Sequence, residues 1–345
     1  MKCVFKDILE IKNGKNQKNV ENSDGVYPIY GSGGIMGYAD DYICPSDTVI
    51  IGRKGNINSP IYVEEPFWNV DTAFGLIANR KYLIAKYLFY FCKKFNFEKL
   101  NKAVTIPSLT KSDLLEIKID LPDKSSQQLI VDRLNTVERV IELRQQELSQ
   151  LDNLIKARFV EMFTSIKKEQ LLGDISEFVT VGIANSATHA YTDSGIPMLR
   201  NQNIKENHLD DSDLIYINPE FAAKYESKKL KENDIIVMRT GYPGVACLVP
   251  SEYEGCQTFT TLIVRLKEDN NPRYVCSYIN SDLGKSFIES EKVGVAQQNV
   301  GAKSLAKMPI RIAPKDLQDE YVAFVAQVDK SKFSVFNTIN ILFNI

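Results

Sequence analysis

Two glycine-punctuated turns hold the side chains best suited to reading another molecule's hydrogen-bonding edges. In the first, Arg53, Lys54, Asn56 and Asn58 follow Gly52 and flank Gly55; in the second, Arg239, Thr240 and Tyr242 flank Gly241. Glycine lets a backbone approach a partner closely while Arg, Asn and Thr present donors and acceptors outward. Such groups discriminate between base edges at about 1 to 3 kcal/mol per good bidentate contact. Arg200, Asn201, Gln202 and Asn203 form a further polar cluster. Thr105 and Ser108, and in the second half Gln297, Gln298 and Asn299, stand in loops just before a short β-like run.

Catalytic chemistry is harder to find. Tyr30-Gly31-Ser32-Gly33-Gly34 lacks the Gly-Lys-Ser/Thr ending of a phosphate loop and follows a β-like run, so it reads as a hairpin turn, in which Tyr30 and Ser32 join the candidates for contact with a partner. Asn218-Pro219-Glu220 is not the Asn/Asp-Pro-Pro-aromatic string with which an adenine methyltransferase holds its extruded base. Glu116-Ile117-Lys118 has the acid-x-lysine look of a nuclease strand, yet its counterpart Met308-Pro309-Ile310 carries neither charge. His189 and His208 lie in unrelated contexts, and the six cysteines contain no CxxC pair, so no metal or nucleophile constellation is expected and the thiols read as free and buried. Trp68 and Phe74 read as core.

A net charge of −2 is low for a nucleic-acid binder, so distribution has to matter more than the sum. Between Arg80 and Lys111 the bases Arg80, Lys81, Lys86, Lys93, Lys94, Lys99, Lys102 and Lys111 face the single acid Glu98, and from Lys292 to Lys315 there are five bases and no acid. Lys93, Lys94, Lys99, Lys102 and Lys303 are candidates for phosphate contacts, which position a duplex without reading it. The chain's 345 residues, 44% hydrophobic and 25% charged, suit two globular domains. No charged-then-apolar leader precedes Cys3, and Tyr82 to Cys92 is short and interrupted by Lys86, which predicts a soluble cytoplasmic protein.

The elements that position these loops occur twice. Asp7-Ile8-Leu9-Glu10-Ile11 corresponds to Asp174-Ile175-Ser176-Glu177-Phe178, and Tyr27-Pro28-Ile29 to Ile196-Pro197-Met198. Further on, Asp47 to Ile51 corresponds to Asp234 to Met238, and Ile117 to Pro122 to Pro309 to Pro314. The offset grows from about 167 to about 192 residues, chiefly through an insertion of roughly 18 within Arg200 to Glu232. A period this long means that each copy is a domain with its own core, not a solenoid unit. β-Branched runs punctuated by Gly and Pro, then a Tyr/Leu helix and a last strand, make each copy an α+β globule.

A helical seam follows each copy. Ile130, Leu134, Val137, Ile141, Leu148, Leu151, Ile155 and Met162 alternate at spacings of four and three, with Arg144 and Arg158 in the two remaining places. Val325, Val328, Val335, Ile339 and Leu342 continue the pattern in the second, with Lys332 among them. Asp123, Ser125 and Ser126 supply helix-start chemistry. The alternation predicts a coiled-coil pair, where packing of each helix on its own domain alone would give a wider stripe. At about 1.5 Å per residue the first helix is a rod of about 60 Å that fixes the spacing of the domains.

These features together resemble the specificity subunits of Type I restriction-modification systems. The resemblance is carried in the first copy by Tyr27 to Gly34, Ile51 to Asn56, Trp68 to Phe74 and Ile106 to Leu109. In the second it is carried by Ile196 to Arg200, Leu230 to Ile236, Gln297 to Gly301 and Phe324 to Asp329. It implies an α+β chain in which residues 1–122 are a first target-recognition domain, 123–166 a central spacer helix and 167–314 a second target-recognition domain. Residues 315–345 would be a C-terminal helix, truncated, that pairs with the central one as an antiparallel coiled coil. The domains would read the two halves of an asymmetric double-stranded DNA target. Two methyltransferase subunits and restriction subunits would be the partners, with S-adenosylmethionine, ATP and Mg on them and no cofactor here. A coiled-coil scaffold that never touches DNA, and an enzyme acting on DNA itself, are the competing readings; the basic clusters oppose the first and the missing motifs the second.

Overall fold

The β-branched run Thr48–Gly52 is buried at every residue, as a strand covered on both faces must be. Around it the computed structural model, which describes residues 2–103, 105–184, 187–293 and 298–343, builds the first domain. In chain order this holds β1 (Lys2–Val4), α1 (Phe5–Ile8), β2 (Leu9–Asn13), β3 (Tyr27–Gly31), β4 (Gly34–Ala39), β5 (Thr48–Gly52), β6 (Ile61–Val63), β7 (Trp68–Asn69) and β8 (Ala73–Ala78). There follow α2 (Ala85–Lys94), α3 (Lys111–Leu115), β9 (Lys118–Asp120) and the long α4 (Lys124–Phe163). An antiparallel sheet runs β2-β8-β5-β6, a second runs β4-β3-β7 with β3 parallel to β7, and β1 clasps β9. The glycine run after Tyr30 forms the β3–β4 turn, with Gly34 at φ 118°. Phe5, Ile11, Val49, Ile51, Phe74, Leu76, Leu88 and Cys92 share one core.

The second domain repeats this plan. It comprises β10 (Glu169–Leu171), β11 (Ser176–Val181), β12 (Tyr191–Thr192), β13 (Ile196–Leu199), β14 (Ile204–Lys205), β15 (His208–Leu209), β16 (Ile215–Ile217), α5 (Pro219–Ala223), β17 (Ile235–Val237) and β18 (Ala246–Leu248). After these come β19 (Gln257–Thr258), β20 (Leu262–Leu266), α6 (Pro272–Asn280), α7 (Asp282–Glu291), α8 (Ala302–Leu305), β21 (Pro309–Arg311) and α9 (Lys315–Phe343). Sheet order β11-β20-β17-β18 matches β2-β8-β5-β6, β13 runs parallel to β19 as β3 does to β7, and β10 clasps β21. The duplication is therefore one of topology as well as of strings. Between β13 and β17 lie 35 residues, against 16 between β3 and β5; β16 pairs β13 as β4 pairs β3, and the surplus holds the β14–β15 hairpin and α5.

The chain divides into two compact units, residues 1–143 and 144–345, with the boundary inside α4. Asp123 starts that helix: its carboxylate accepts from the Ser126 amide at 2.9 Å and from the Ser125 and Ser126 hydroxyls. These bonds, led by that of Ser125, hold its carboxyl well below the usual range. The helix runs for 40 residues, about 60 Å.

In the second unit α4 and α9 pack antiparallel, since Arg158 bonds Glu320 at 3.1 Å while Asp152, earlier in α4, bonds Lys332, later in α9. Ile155, Phe159 and Phe163 share a core with Tyr321, Val325 and Val328. The polar seam positions are all engaged: Arg158 with Glu161 and Glu320, Arg144 with Glu147, Lys332 with Asp152. Val335 and Ile339 are buried, while Leu134, Val137, Ile141, Leu148, Leu151 and Leu342 are half-buried.

Two expectations need correction. Ile130 is 37% exposed, and Val131 takes the buried place, because the first turns of α4 are set by the domain behind them. Of the six free cysteines, Cys3 is half-exposed, lying on the short clasp strand β1, while the other five are buried. Trp68 and Phe74 are core, and Glu116 pairs with Lys6 on the surface.

A buried glutamine fastens each domain to the helix that follows it. The Gln127 carbonyl accepts from the Ile84 amide at 2.9 Å, and its amide donates to Tyr82 O and Pro122 O, each at 2.9 Å. Gln318 does the same, accepting from the Asn271 amide at 2.8 Å and donating to Ala313 O and to Asn270 Oδ1. Each pins the start of the Tyr/Leu helix, α2 or α6, to the first turn of α4 or α9. Eleven residues on, Glu138 takes Tyr90 and Lys93 of α2, and Asp329 takes Arg273 of α6.

Candidate nucleic-acid interface

Beyond β5 the chain doubles back at once. A Cβ on Gly52 would stand 2.0 Å from the Asn56 carbonyl oxygen, and Gly55 sits at φ 75°, so the turn closes only with glycine in both places. The Arg53 amide donates to Thr72 O at 2.8 Å, its carbonyl accepts from the Leu109 amide at 2.9 Å, and Lys54 pairs antiparallel with Ser108. Asn56 Nδ2 donates to Ser32 O at 3.3 Å. Ser32, Arg53, Lys54, Asn56 and Ser108, from three separate loops, thus meet at one edge. Arg53 and Lys54 are exposed and have no ion-pair partner among the described residues, and the Arg53 guanidinium stands 5.8 Å from the Phe74 ring centroid. The ring lies against one face of the guanidinium and leaves its N–H edge without an ion pair among the described residues.

The second domain builds the same junction. Gly241 sits at φ 82°, the Arg239 carbonyl accepts from the Val300 amide at 3.2 Å, and Thr240 pairs antiparallel with Asn299. Asn201 occupies the place of Ser32: its amide donates to Thr240 Oγ1 at 2.7 Å and its Oδ1 accepts from the Arg239 amide at 3.3 Å. Arg239 has no ion pair among the described residues, and its buried Nε has no hydrogen-bond partner among them. Tyr242 is 77% exposed beside it. Asn299 Nδ2 donates to Val293 O, Gln298 is exposed, and Gln297 lies outside the described residues.

Other candidates serve the protein itself. Arg200 pairs with Asp213 at 3.1 Å, Gln202 bonds the same carboxylate, and Asn203 is buried with its amide on Asp210 O and Asp213 O. These three build the loop that presents Asn201. Asn58 is exposed but its Oδ1 is engaged, accepting from the Phe97 amide at 2.7 Å. Tyr30 packs its ring 5.4 Å from Phe67, and burial, helped by Glu65, pushes its hydroxyl pKa up. Thr105 is exposed on the loop ahead of Ser108.

The basic stretch is largely engaged internally. Lys93 pairs with Glu138 at 2.7 Å, Lys102 with Asp113 at 2.8 Å and Arg80 with Asp47 at 2.8 Å, and Lys111 donates to Ile11 O. Lys94, Lys99 and Lys303 are exposed without an ion-pair partner among the described residues. No group of three His, Cys, Asp or Glu side chains among them is placed to hold a metal, and no helix is long and apolar enough to cross a membrane.

Sequence reasoning missed the turn Glu206-Asn207 at the tip of the β14–β15 hairpin. Lys156 and Lys285 both hold the Glu206 carboxylate, at 2.9 and 3.0 Å. Burial alone would raise that carboxyl, but the two lysine bonds outweigh it and hold it below the ordinary value. Asn207, at φ 65°, was the available signal, since Asn tolerates left-handed turns.

Comparison with known proteins gives one answer. The family model for the Type I restriction modification DNA specificity domain matches residues 3–153 and again 167–342. The EcoDI specificity subunit of Escherichia coli is 23% identical over 153 residues, 44% of this chain and 34% of that protein, so the shared stretch spans about a third of that relative. The EcoBI specificity subunit of Escherichia coli is 20% identical over 336 residues, 87% of this chain and 70% of that one. A solved Type I restriction-modification S subunit from M. genitalium superimposes with a TM-score of 0.55 at 15% identity, covering 99% of this chain and 92% of its own. A chain from a structural study of complex assembly and conformational transition of the type I R-M system gives 0.62 at 14% identity, covering 100% and 94%. At such identities the structures speak for the fold.

Proposed function

Because the chain belongs to the Type I restriction-modification DNA specificity family, we propose that it reads a two-part, asymmetric DNA target, one half with each domain, and performs no chemistry itself. The observation that carries this reading is the duplicated junction: an Arg-x-Gly turn bridged to the loop before the last strand, with the loop after β3 or β13 alongside. Duplicated geometry gives two reading heads. Different side chains at matching places, Lys54 against Thr240, Ser32 against Asn201 and Ser108 against Asn299, give two different half-targets.

In this reading the α4–α9 pair is the surface on which two methyltransferase subunits and the restriction subunits assemble in the cytoplasm. S-adenosylmethionine, ATP and Mg belong to those partners. Arg53, Lys54 and Asn56, and Asn201, Arg239, Thr240 and Asn299, are the base-reading set; Lys94, Lys99 and Lys303 touch phosphates.

Methylome sequencing of a host with and without this gene tests it. The expected result is a split motif methylated only when the gene is present. An unchanged methylome, together with no shift of any duplex by the chain and its methyltransferase subunits, would remove the reading and leave a scaffold.

A further inference from the structure

The inserted hairpin of the second domain has no counterpart in the first, where β3 and β4 are joined by Ser32-Gly33 alone. Its two ends do different things. At the base, Asn201 bonds Thr240 and the Arg239 amide, inside the reading junction. At the tip, Glu206 bridges Lys156 of α4 and Lys285 of α7. Next to it the Asn207 amide donates to Ala246 O at 2.9 Å, its carbonyl accepts from Arg273 and its Oδ1 accepts from the buried Asn280, each at 3.0 Å. The same Arg273 pairs with Asp329 of α9 at 3.0 Å.

Four residues therefore separate a side chain in the reading junction from one held by α4 and α7. Between them lie Gln202, bonded to Asp213, Asn203, buried and fixed by three hydrogen bonds, and the two-residue strand β14. Short, fully bonded segments transmit displacement instead of absorbing it. A cleft of about 390 Å³, lined by Asp152, Lys156, Glu206, Arg273, Asp329 and Lys332, opens beside the clamp.

We propose that Glu206 and Asn207 are positioning residues that set the second domain's reading loop by the arrangement of α4 and α9, so that target discrimination in that domain alone depends on the helix pair. The proposal rests on the DNA-reading assignment above. The first domain, with a two-residue turn in place of the hairpin, reads its half independently of such a clamp.

The test uses the full chain with its methyltransferase subunits and duplexes carrying the motif found by methylome sequencing, intact or with one half scrambled. Arg239→Ala first identifies the half read by the second domain. Glu206→Gln is expected to lower the affinity ratio of intact to scrambled duplex at that half by about threefold to thirtyfold, with the ratio at the other half unchanged. A merely structural role would weaken all duplexes in proportion and leave both ratios alone. Lys156→Gln, which keeps the Lys285 pair, is the milder variant should Glu206→Gln not fold, and is expected to shift the same ratio in the same direction. Unchanged ratios in folded variants, or equal loss at both halves, would overturn the clamp. A wild-type complex that prefers neither half would instead overturn the DNA reading, and the clamp with it.

Discussion

Arg53 and Arg239 are the same residue twice: each follows a buried strand, each precedes a glycine at positive φ by two places, and each lends its carbonyl to the loop before the last strand. Backbone pairing fixes where the side chain starts, and the absence of an ion pair among the described residues leaves the guanidinium free for a base. Arg53→Ala should cost about 1 to 3 kcal/mol of specific binding and relax one half of the target only, with Arg239→Ala doing so at the other half. Binding measured against half-scrambled duplexes checks this, and equal damage to both halves by either variant refutes it. Lys93 shows the opposite case, since it is bound to Glu138. Burial alone would raise the Glu138 carboxyl; the bonds from Lys93 and Tyr90 outweigh it and lower the value below the ordinary 4.5. A depressed carboxylate stabilises the fold at pH above that ordinary value and loses its contribution as pH falls through the lowered one. Acid titration of stability should therefore fall less steeply below about pH 4.5 in Glu138→Gln than in the wild type; parallel curves would contradict the pairing.

At the scale of elements, what sequence could show was whatever its own neighbours determine. The buried runs Thr48 to Ile51 and Ile235 to Val237, the Asp123 cap and the seam from Leu134 to Met162 are local patterns, and each lies in the element it predicted. Gln127 and Gln318 were invisible because a glutamine at a helix start reads as solvated. Their burial depends on amides and carbonyls brought there by a chain segment some 45 residues away. Tyr321 was overlooked for the same reason: it extends the α9 seam one step toward its start, but only the ring cluster of Phe159, Phe163 and Tyr274 explains a fully buried tyrosine. Asn203 misled in the reverse direction, since a polar loop residue reads as a reader and proves to be the loop's internal brace. The glutamine pair yields a prediction for these elements. Either Gln→Ala change strands a backbone donor and two acceptors away from water, at about 1 to 3 kcal/mol per group left unpaired, so both variants should unfold earlier in urea. Unshifted midpoints would mean that water replaces the amide at no cost.

For the molecule as a whole, the difficulty is how a chain of net charge −2 holds a polyanion. The basic stretch of the first domain does not resolve it, since Arg80, Lys93 and Lys102 are each paired with a carboxylate and Lys111 with a backbone carbonyl. Of the proposed phosphate contacts, Lys94, Lys99 and Lys303 are left, together with the arginines of the two junctions. Each phosphate neutralised contributes about −0.9 to the slope of log affinity against log salt. If these five cations are the ones that face the duplex, the isolated chain should bind duplex DNA weakly and with a slope shallower than about −4, while the complex with methyltransferase subunits should bind tightly and steeply. This assigns discrimination to the chain's arginines, asparagines and threonine, and most of the phosphate grip to its partners. Titrating binding of both forms between about 50 and 200 mM salt separates the contributions. A slope near −8 for the chain alone would show that the internal pairs open on DNA, and that the lysines bonded to Glu138 and Asp113 are phosphate ligands after all.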